Sequence, residues 1–209
     1  MTVNASDTEA ENARHNEKAR KHKAARDKIM ATKTGEKGLL IVHTGTGKGK
    51  TSAALGMVFR HIGHGFPVAV VQFTKSPAWN TGEARVLAKF PELVTLHIMG
   101  EGFTWETQDR ARDIAAATAG WERAKQLIRD DRHRMVLLDE LNIVLRYDYL
   151  PIEDVLTFLR DEKPVDKHVV ITGRNAHPSL IEMADLVTEM TLVKHPFRAG
   201  VKGQKGIEF

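Results

Sequence analysis

A glycine-rich loop after the first buried apolar run constrains the fold of this chain more than any other feature. The apolar residues Leu39 to Val42 precede the loop, and small apolar residues follow it; the loop reads Gly45-Thr46-Gly47-Lys48-Gly49-Lys50-Thr51. A strand, a tight turn and a helix that begins at Lys50 direct backbone N–H groups, a helix dipole and an ammonium group at one point. The motif predicts a phosphate site, with Lys50 on phosphate oxygens and the Thr51 hydroxyl on a Mg²⁺ ion.

The loop departs from the common pattern G-x-x-x-x-G-K-[ST] at its first position. That pattern requires glycine at position 44, where this chain has Thr44. A nucleotide loop of altered length need not hold ATP as an ordinary ATPase does. A strand-to-helix turn without a ligand is the alternative, but the register of the glycines, Lys50 and Thr51 favours phosphate.

Composition limits the remaining possibilities. The 209 residues suffice for one domain with an extension, and the absence of cysteine excludes disulfides, thiolate nucleophiles and cysteine-ligated zinc or iron–sulfur sites. The formal net charge of +4 lies mostly near the two ends, where it suits nucleic acid or polyphosphate equally. We expect a cytoplasmic protein, because no apolar run is long enough for a membrane span and the first residues are polar.

Residues 1–37 differ from the rest and form a predicted charged arm, helical or partly disordered. They are rich in alanine and charged residues and contain no aromatic residue or proline. A helix over residues 9–30 is plausible, with a thin apolar face. A solvated helix or loose arm is favoured over a nucleic-acid arm, and a lid over the active site is a third possibility.

Residues 38–209 alternate short apolar runs with amphipathic segments, which predicts an α/β domain. The predicted strands are 39–43, 68–74, 94–99, 135–139 and 168–172, and a last apolar run covers 186–194. The predicted helices are 51–61, 83–90, 107–130, 152–160 and 179–184. This order indicates a mainly parallel sheet with helices on both faces and a ligand at the carboxyl ends of the strands, where the loop, Gln72, Asp139 and Gly173 emerge.

Two carboxylates, Asp139 and Glu140, end the apolar strand 135–139. In the metal hypothesis one of them binds Mg²⁺ or its water shell and the other orients it. The alternative is that the pair caps the following segment. Arg174 lies just after strand 168–172. The residues alone support two roles for it equally: binding of phosphate, or a surface ion pair.

Two aromatic residues, Phe103 and Trp105, lie in a glycine-containing loop after strand 94–99. They either cover a flat ligand or close the core before the next helix. Spacing alone favours the core.

Together these residues resemble the ATP:corrinoid adenosyltransferases of the cob(I)yrinic acid a,c-diamide adenosyltransferase family. The resemblance runs from about Gly38 to Phe209. It rests on the short glycine loop and on ordered segments elsewhere: Gly63-His64-Gly65, Val70-Val71-Gln72-Phe73, Gly102-Phe103-Thr104-Trp105-Glu106-Thr107, Leu138-Asp139-Glu140-Leu141, Tyr147-Asp148-Tyr149-Leu150-Pro151, Ile171-Thr172-Gly173-Arg174, and Val193-Lys194-His195 with Ala199-Gly200-Val201-Lys202. It implies a P-loop NTPase-like (RecA-like) fold for residues 38–209.

The resemblance implies a reaction in which cobalt(I) of a reduced corrinoid attacks the 5′ carbon of ATP and triphosphate leaves. It implies that ATP lies reversed in the loop, compared with ordinary P-loop ATPases, and that Mg²⁺ or Mn²⁺ binds Thr51 and Glu140. The implied ATP-binding residues are Thr44, Gly45, Thr46, Gly47, Lys48, Gly49, Lys50, Thr51 and Arg174; the implied catalytic residues are Lys50, Phe103 and Trp105.

The resemblance also assigns Phe103 and Trp105 to the corrinoid, which reverses the interpretation from spacing. It implies that part of the arm 1–37 covers the active site. It further implies a homodimer that receives electrons from a flavoprotein or reductase and binds neither nucleic acid nor membrane. Thr46 departs from the family pattern, as do Pro196 and Arg198, and these differences leave one nucleoside contact and the corrinoid specificity open.

Two other functions are compatible with the residues alone. The basic arm and the Asp139-Glu140 pair suit an ATPase coupled to nucleic acid, whose hydrolysis DNA or RNA would stimulate. An ATP-sensing module would bind ATP tightly without turnover.

Overall fold

The computed structural model describes residues 5–76, 78–79, 81–100 and 109–208. The chain forms two compact units, which divide between Glu36 and Lys37. The first unit contains one helix, α1, Ala5–Ala31. Its residues from 11 to 31 are all exposed, and Glu17 and Lys21, one turn apart, form an ion pair of 2.9 Å. The helix expected in the arm is therefore present, and it is polar all round, as the thin apolar face in the sequence indicates.

The second unit is built on a six-stranded sheet in which every pair of neighbouring strands is parallel. The strand order is β3-β2-β4-β5-β1-β6. The strands are β1 Leu40–Thr44, β2 Val68–Gln72, β3 Val94–Ile98, β4 Met135–Asp139, β5 His168–Thr172 and β6 Leu186–Glu189. All carboxyl ends therefore share one edge, where Gln72 of β2 pairs in register with Asp139 of β4.

Helices cover both faces of this sheet. They are α2 Lys50–Gly63, α3 Gly82–Leu87, α4 Arg110–Arg129, α5 Leu141–Arg146, α6 Ile152–Asp161 and α7 Pro178–Met183, and a 3₁₀ turn covers Pro196–Ala199. Alternate strand residues face opposite sides, as the pleat requires. One set packs with buried residues of α2 and α3, and the other packs with buried residues of α4 to α7. The predicted α/β class, with a parallel sheet covered on both faces, is confirmed.

The largest departures from the predicted elements are α5 and the last strand. Helix α5 was not predicted, because only Glu140 separates it from β4 and no glycine or proline marks the change; Leu141, Val144 and Leu145 are all buried. The apolar run 186–194 contributes only the four residues of β6, all of them exposed at the sheet edge. Elsewhere the predicted bounds differ from those observed by a few residues. Within the described part of the chain, no helix has both the length and the apolar character that a bilayer span requires.

Candidate functional site

The glycine loop adopts backbone conformations that only glycine takes readily. Gly45 has φ 97° and Gly49, which immediately precedes α2, has φ 106°. A Cβ on Gly45 would lie 2.4 Å from the carbonyl oxygen of Met190, and one on Gly47 would lie 2.7 Å from that of Thr191. The loop therefore needs glycine both for its turn and for its close contact with the chain after β6.

Thr44 explains how the loop closes without glycine at that position. Its side chain is buried, and its hydroxyl oxygen accepts the backbone N–H of Ala176 at 3.0 Å. Its carbonyl accepts the N–H of Met190 at 2.9 Å, and the N–H of Gly47 donates to the carbonyl of Met190 at 2.6 Å. Thr44 thus ties the start of the loop to the segments that follow β5 and β6. Thr46 is exposed.

Lys50, the first residue of α2, is buried inside the loop. Its ammonium donates to the carbonyls of Gly45 at 3.0 Å and of Gly47 at 2.5 Å. Burial lowers the pKa of Lys50, the charge of Glu140 opposes this, and the positive charges of Arg174 and Lys48 add to it. These two hydrogen bonds use two of the three N–H donors of the ammonium, which leaves one for a phosphate oxygen.

Two further cations lie at this end of the sheet. Lys48 is half-exposed and forms an ion pair with Glu208, whose side chain is largely buried. Arg174 is exposed, and its charge acts on both Lys50 and Glu140. The structure thus brings Arg174, from the segment after β5, near Lys48 and Lys50 of the glycine loop. Such a group suits a polyanion.

Asp139 at the end of β4 contacts the start of α2 directly. The Thr51 hydroxyl donates to Oδ1 of Asp139 at 2.8 Å, and the Thr172 hydroxyl donates to the same oxygen at 2.8 Å. Nε2 of Gln72 donates to Oδ2 at 3.2 Å, and the ammonium of Lys75 lies 3.4 Å from that oxygen. Both oxygens of this carboxylate therefore accept hydrogen bonds or ionic contacts from the protein. The carboxylate in turn holds the Thr51 hydroxyl in place.

Glu140 is the second carboxylate, and its backbone is in the left-handed region with φ 64°. Its N–H donates to the Thr172 hydroxyl oxygen at 2.9 Å. The pKa of Glu140 is raised to about 7: burial is the largest cause, the charge of Asp139 adds to it, and Lys50, Lys75 and Arg174 oppose the shift. A Cβ on Gly173 would lie 3.1 Å from Oε2 of Glu140, so this glycine makes room for the carboxylate.

The donors at this edge match the preferences of Mg²⁺, which takes few protein oxygens and completes its shell with phosphate and water. The Thr51 hydroxyl gives its hydrogen to Asp139, which leaves its oxygen lone pairs available. Glu140 adds a half-buried carboxylate whose pKa is raised by burial and by the neighbouring charge of Asp139. The described residues hold no cluster of three or more His, Cys, Asp or Glu side chains suited to a metal. This set fits a hard cation shared with a phosphate ligand.

Three residues of the site were missed at the sequence level: Lys75, Glu83 and Glu208. Lys75 follows β2 at the same edge as Gln72, and this position in the sequence was the available signal. Glu208 carried no such signal. Phe103 and Trp105 lie outside the described residues. The residues alone did not distinguish the two carboxylates, whereas the resemblance assigned Glu140 to the metal; in the structure Asp139 is the one that bonds to Thr51.

A parallel sheet, a glycine loop that enters a helix at Lys50 and Thr51, and an acidic pair at the end of a nearby strand define a P-loop protein of the α/β class. A more specific assignment comes from comparison with known proteins. The family described as ATP:corrinoid adenosyltransferase BtuR/CobO/CobP matches residues 36–209. The chain belongs to this family.

Individual relatives agree over nearly their whole length. Corrinoid adenosyltransferases from a Sinorhizobium species, Pseudomonas aeruginosa and Escherichia coli K12 are 62%, 54% and 45% identical to this chain. The matches cover 96%, 94% and 94% of this chain and 94%, 96% and 98% of the respective relatives. The family resemblance, the P-loop-like α/β fold and the prediction of a corrinoid adenosyltransferase are therefore confirmed.

Proposed function

We propose that the edge of the sheet around Gly45 to Thr51 is where this chain transfers the 5′-deoxyadenosyl group of ATP to the cobalt(I) centre of a reduced corrinoid. One observation supports this location above all. Lys48, Lys50 and Arg174 gather at a loop whose helix begins beside Asp139 and Glu140. These cations suit a triphosphate as a leaving group.

The transfer needs no general base, because cobalt(I) is itself the nucleophile. Its electron pair forms the bond to C5′, and the bond between C5′ and the oxygen on the α-phosphate breaks. That oxygen leaves with the electron pair as part of triphosphate, and cobalt becomes formally cobalt(III). The protein accelerates the step by aligning the two substrates and by stabilising charge that develops on the leaving oxygen.

Lys50 is the proposed catalytic cation. Its ammonium lies in the loop, and Lys48 and Arg174 would act on the same anion. The backbone from Thr44 to Thr51, Thr46 included, forms the rest of the proposed ATP site. Mg²⁺ or Mn²⁺, held by Thr51 and Glu140, would supply further positive charge to triphosphate oxygens. Asp139 holds the Thr51 hydroxyl so that its lone pairs face away from the carboxylate.

Phe103 and Trp105 are the proposed corrinoid-binding residues, on the basis of the family resemblance. In the family, the matching residues help to remove the lower axial ligand of cobalt(II), which makes cobalt(II) easier to reduce. The cobalt(I) state requires an electron donor, for which we propose a flavoprotein or reductase. We further propose a cytoplasmic homodimer with no nucleic-acid or membrane partner, in which part of the arm 1–37 serves as a lid.

The proposal is tested by anaerobic incubation with ATP, Mg²⁺ and a panel of reduced corrinoids. We expect a cobalt–carbon product, detected spectrally, and an equal amount of triphosphate. Release of ADP and phosphate instead, stimulated by DNA or RNA, would support an ATPase coupled to nucleic acid. Tight ATP binding without turnover would support a sensing module. The same panel identifies the preferred acceptor, whether a biosynthetic intermediate or a salvaged cobalamin.

A further inference from the structure

A second charged cluster lies beside Asp139, on the side away from the glycine loop. Its centre is Lys75, three residues beyond the end of β2. The ammonium of Lys75 lies 2.5 Å from Oε1 of Glu83 and 3.4 Å from Oδ2 of Asp139. Glu83 belongs to the first turn of α3, which Thr81 caps by accepting the N–H of Ala84. Lys75 therefore bridges α3 and the end of β4.

The three side chains of this bridge are largely shielded from water, which strengthens the interaction between their charges. The side chains of Lys75, Glu83 and Asp139 are 18%, 21% and 1% exposed. Burial alone lowers the pKa of Lys75, but Asp139 and Glu83 face the ammonium closely enough to raise it above its ordinary value. Removing one partner of a buried ion pair leaves the other charge uncompensated. Lys75 is therefore the cation that compensates the buried charge of Asp139, whose oxygens also accept hydrogen bonds from Thr51, Thr172 and Gln72.

The bridge continues towards the glycine loop through a single hydrogen bond. Oδ1 of Asp139 accepts the Thr51 hydroxyl, while Oδ2 faces Lys75 and Gln72. The chain of contacts runs from α3 through Lys75 and Asp139 to the second residue of α2. A carboxylate that orients a metal-binding side chain acts strongly on affinity and rate even without contact with the metal.

We propose that Lys75, anchored by Glu83, is a positioning residue for the transfer reaction: it fixes Asp139, and through Asp139 it sets the direction of the Thr51 hydroxyl. This inference rests on the proposed function, because it takes Thr51 to face the metal and the triphosphate. A merely structural lysine would stabilise the sheet edge without distinguishing between ATP with and without a divalent cation.

The experiment compares Lys75→Met with Lys75→Arg and uses Lys89→Met as the matched control, since Lys89 is an exposed lysine just beyond α3. Binding of ATP is measured with Mn²⁺ and, separately, with EDTA. For Lys75→Met we expect the affinity for Mn²⁺·ATP to fall by roughly 10- to 100-fold, and kcat to fall within a similar range. The affinity for ATP in EDTA changes far less. Lys75→Arg restores most of the loss, and Lys89→Met behaves as wild type.

Glu83→Gln gives a second route if Lys75→Met fails to fold. It leaves Lys75 in place with one anion, so we expect a smaller loss that is again confined to Mn²⁺·ATP. Glu92→Gln, at an exposed position before β3, is its control. Equal losses of ATP affinity with Mn²⁺ and with EDTA would show that Lys75 is only structural.

A double-mutant cycle tests whether Lys75 acts through Asp139. In an Asp139→Asn background, Lys75→Met should cause little further loss of activity, because the carboxylate it positions is gone. Additive losses would overturn the inference. Lys50→Ala separates this result from the proposed function itself. Full transfer by Lys50→Ala would refute the site, whereas an inactive Lys50→Ala beside a normal Lys75→Met would refute only the role of Lys75.

Discussion

Glu140→Gln should make the protein more stable at alkaline pH while it impairs metal-dependent ATP binding. Burial raises the pKa of Glu140 to about 7 from an ordinary value of 4.5. The folded state therefore holds this proton more tightly than the unfolded state does. Stability contributed by the protonated group is lost as the pH rises from about 4.5 to about 7.

The expected change in the free energy of unfolding follows from the pKa shift of Glu140. Each pH unit within this window removes about 1.4 kcal/mol from the free energy of unfolding. Between about pH 5.5 and pH 8, roughly 1.5 units lie below the folded-state pKa, so wild type loses about 2 kcal/mol that the glutamine variant keeps. Glutamine does not ionise, so its contribution stays flat over the same range.

The assay is urea denaturation at about pH 5.5, 7 and 8, in EDTA and without nucleotide. The quantity compared is the difference in unfolding free energy between Glu140→Gln and wild type at each pH. Histidines titrate in both proteins, so their contributions to the unfolding free energy cancel in this difference. Glu182→Gln, at an exposed position on α7, is the matched control, and its difference from wild type should not vary with pH. Addition of Mg²⁺·ATP should stabilise wild type more than Glu140→Gln.

Two results would refute the reasoning. A difference between Glu140→Gln and wild type that stays constant from about pH 5.5 to pH 8 would show that Glu140 ionises normally. A variant that gains as much stability from Mg²⁺·ATP as wild type does would show that its carboxylate is not used for the metal.

Three further substitutions test other parts of the site. Lys50→Ala should lower the rate of adenosyl transfer by roughly 100-fold or more while the far-UV circular dichroism spectrum stays unchanged, because a preorganised cation at the leaving group is lost. Trp105→Ala should slow turnover from cobalt(II) more than from prereduced cobalt(I), and equal losses in the two assays would contradict its role in reduction. Gly45→Ala should destabilise the fold by at least about 1 kcal/mol in urea denaturation, since φ is 97° and the added Cβ would meet the Met190 carbonyl at 2.4 Å; an unchanged midpoint would contradict this.

The phosphate loop was predictable from sequence because its parts are adjacent in the chain. A strand, glycines in register, Lys50 and Thr51 encode the strand-to-helix turn locally, and the alternation of apolar runs encodes the parallel sheet. Helix α5 was not predicted because a single residue, Glu140, separates it from β4 and turns the backbone with φ 64°, without the glycine or proline that would mark a turn in the sequence.

The contacts that define the rest of the site are not local. Asp139 bonds to Thr51, which lies 88 positions earlier, and Lys48 pairs with Glu208, which lies 160 positions later. Which of the two carboxylates, Asp139 or Glu140, bonds to Thr51 depends on the register of β4 with β2 and on the Thr172 hydroxyl of β5. No sequence pattern encodes those relations, so the sequence located the acidic pair without assigning each carboxylate its partner.

In the proposed reaction, the bond that breaks in ATP joins C5′ to the oxygen on the α-phosphate. This claim is tested most directly with ATP that carries ¹⁸O at the bridge between C5′ and the α-phosphate, incubated anaerobically with the enzyme, Mg²⁺ and a cobalt(I) corrinoid. Mass spectrometry of the products locates the label. We expect ¹⁸O in the released triphosphate and none in the adenosylated corrinoid. Label retained in ADP, with unlabelled phosphate as the other product, would contradict it.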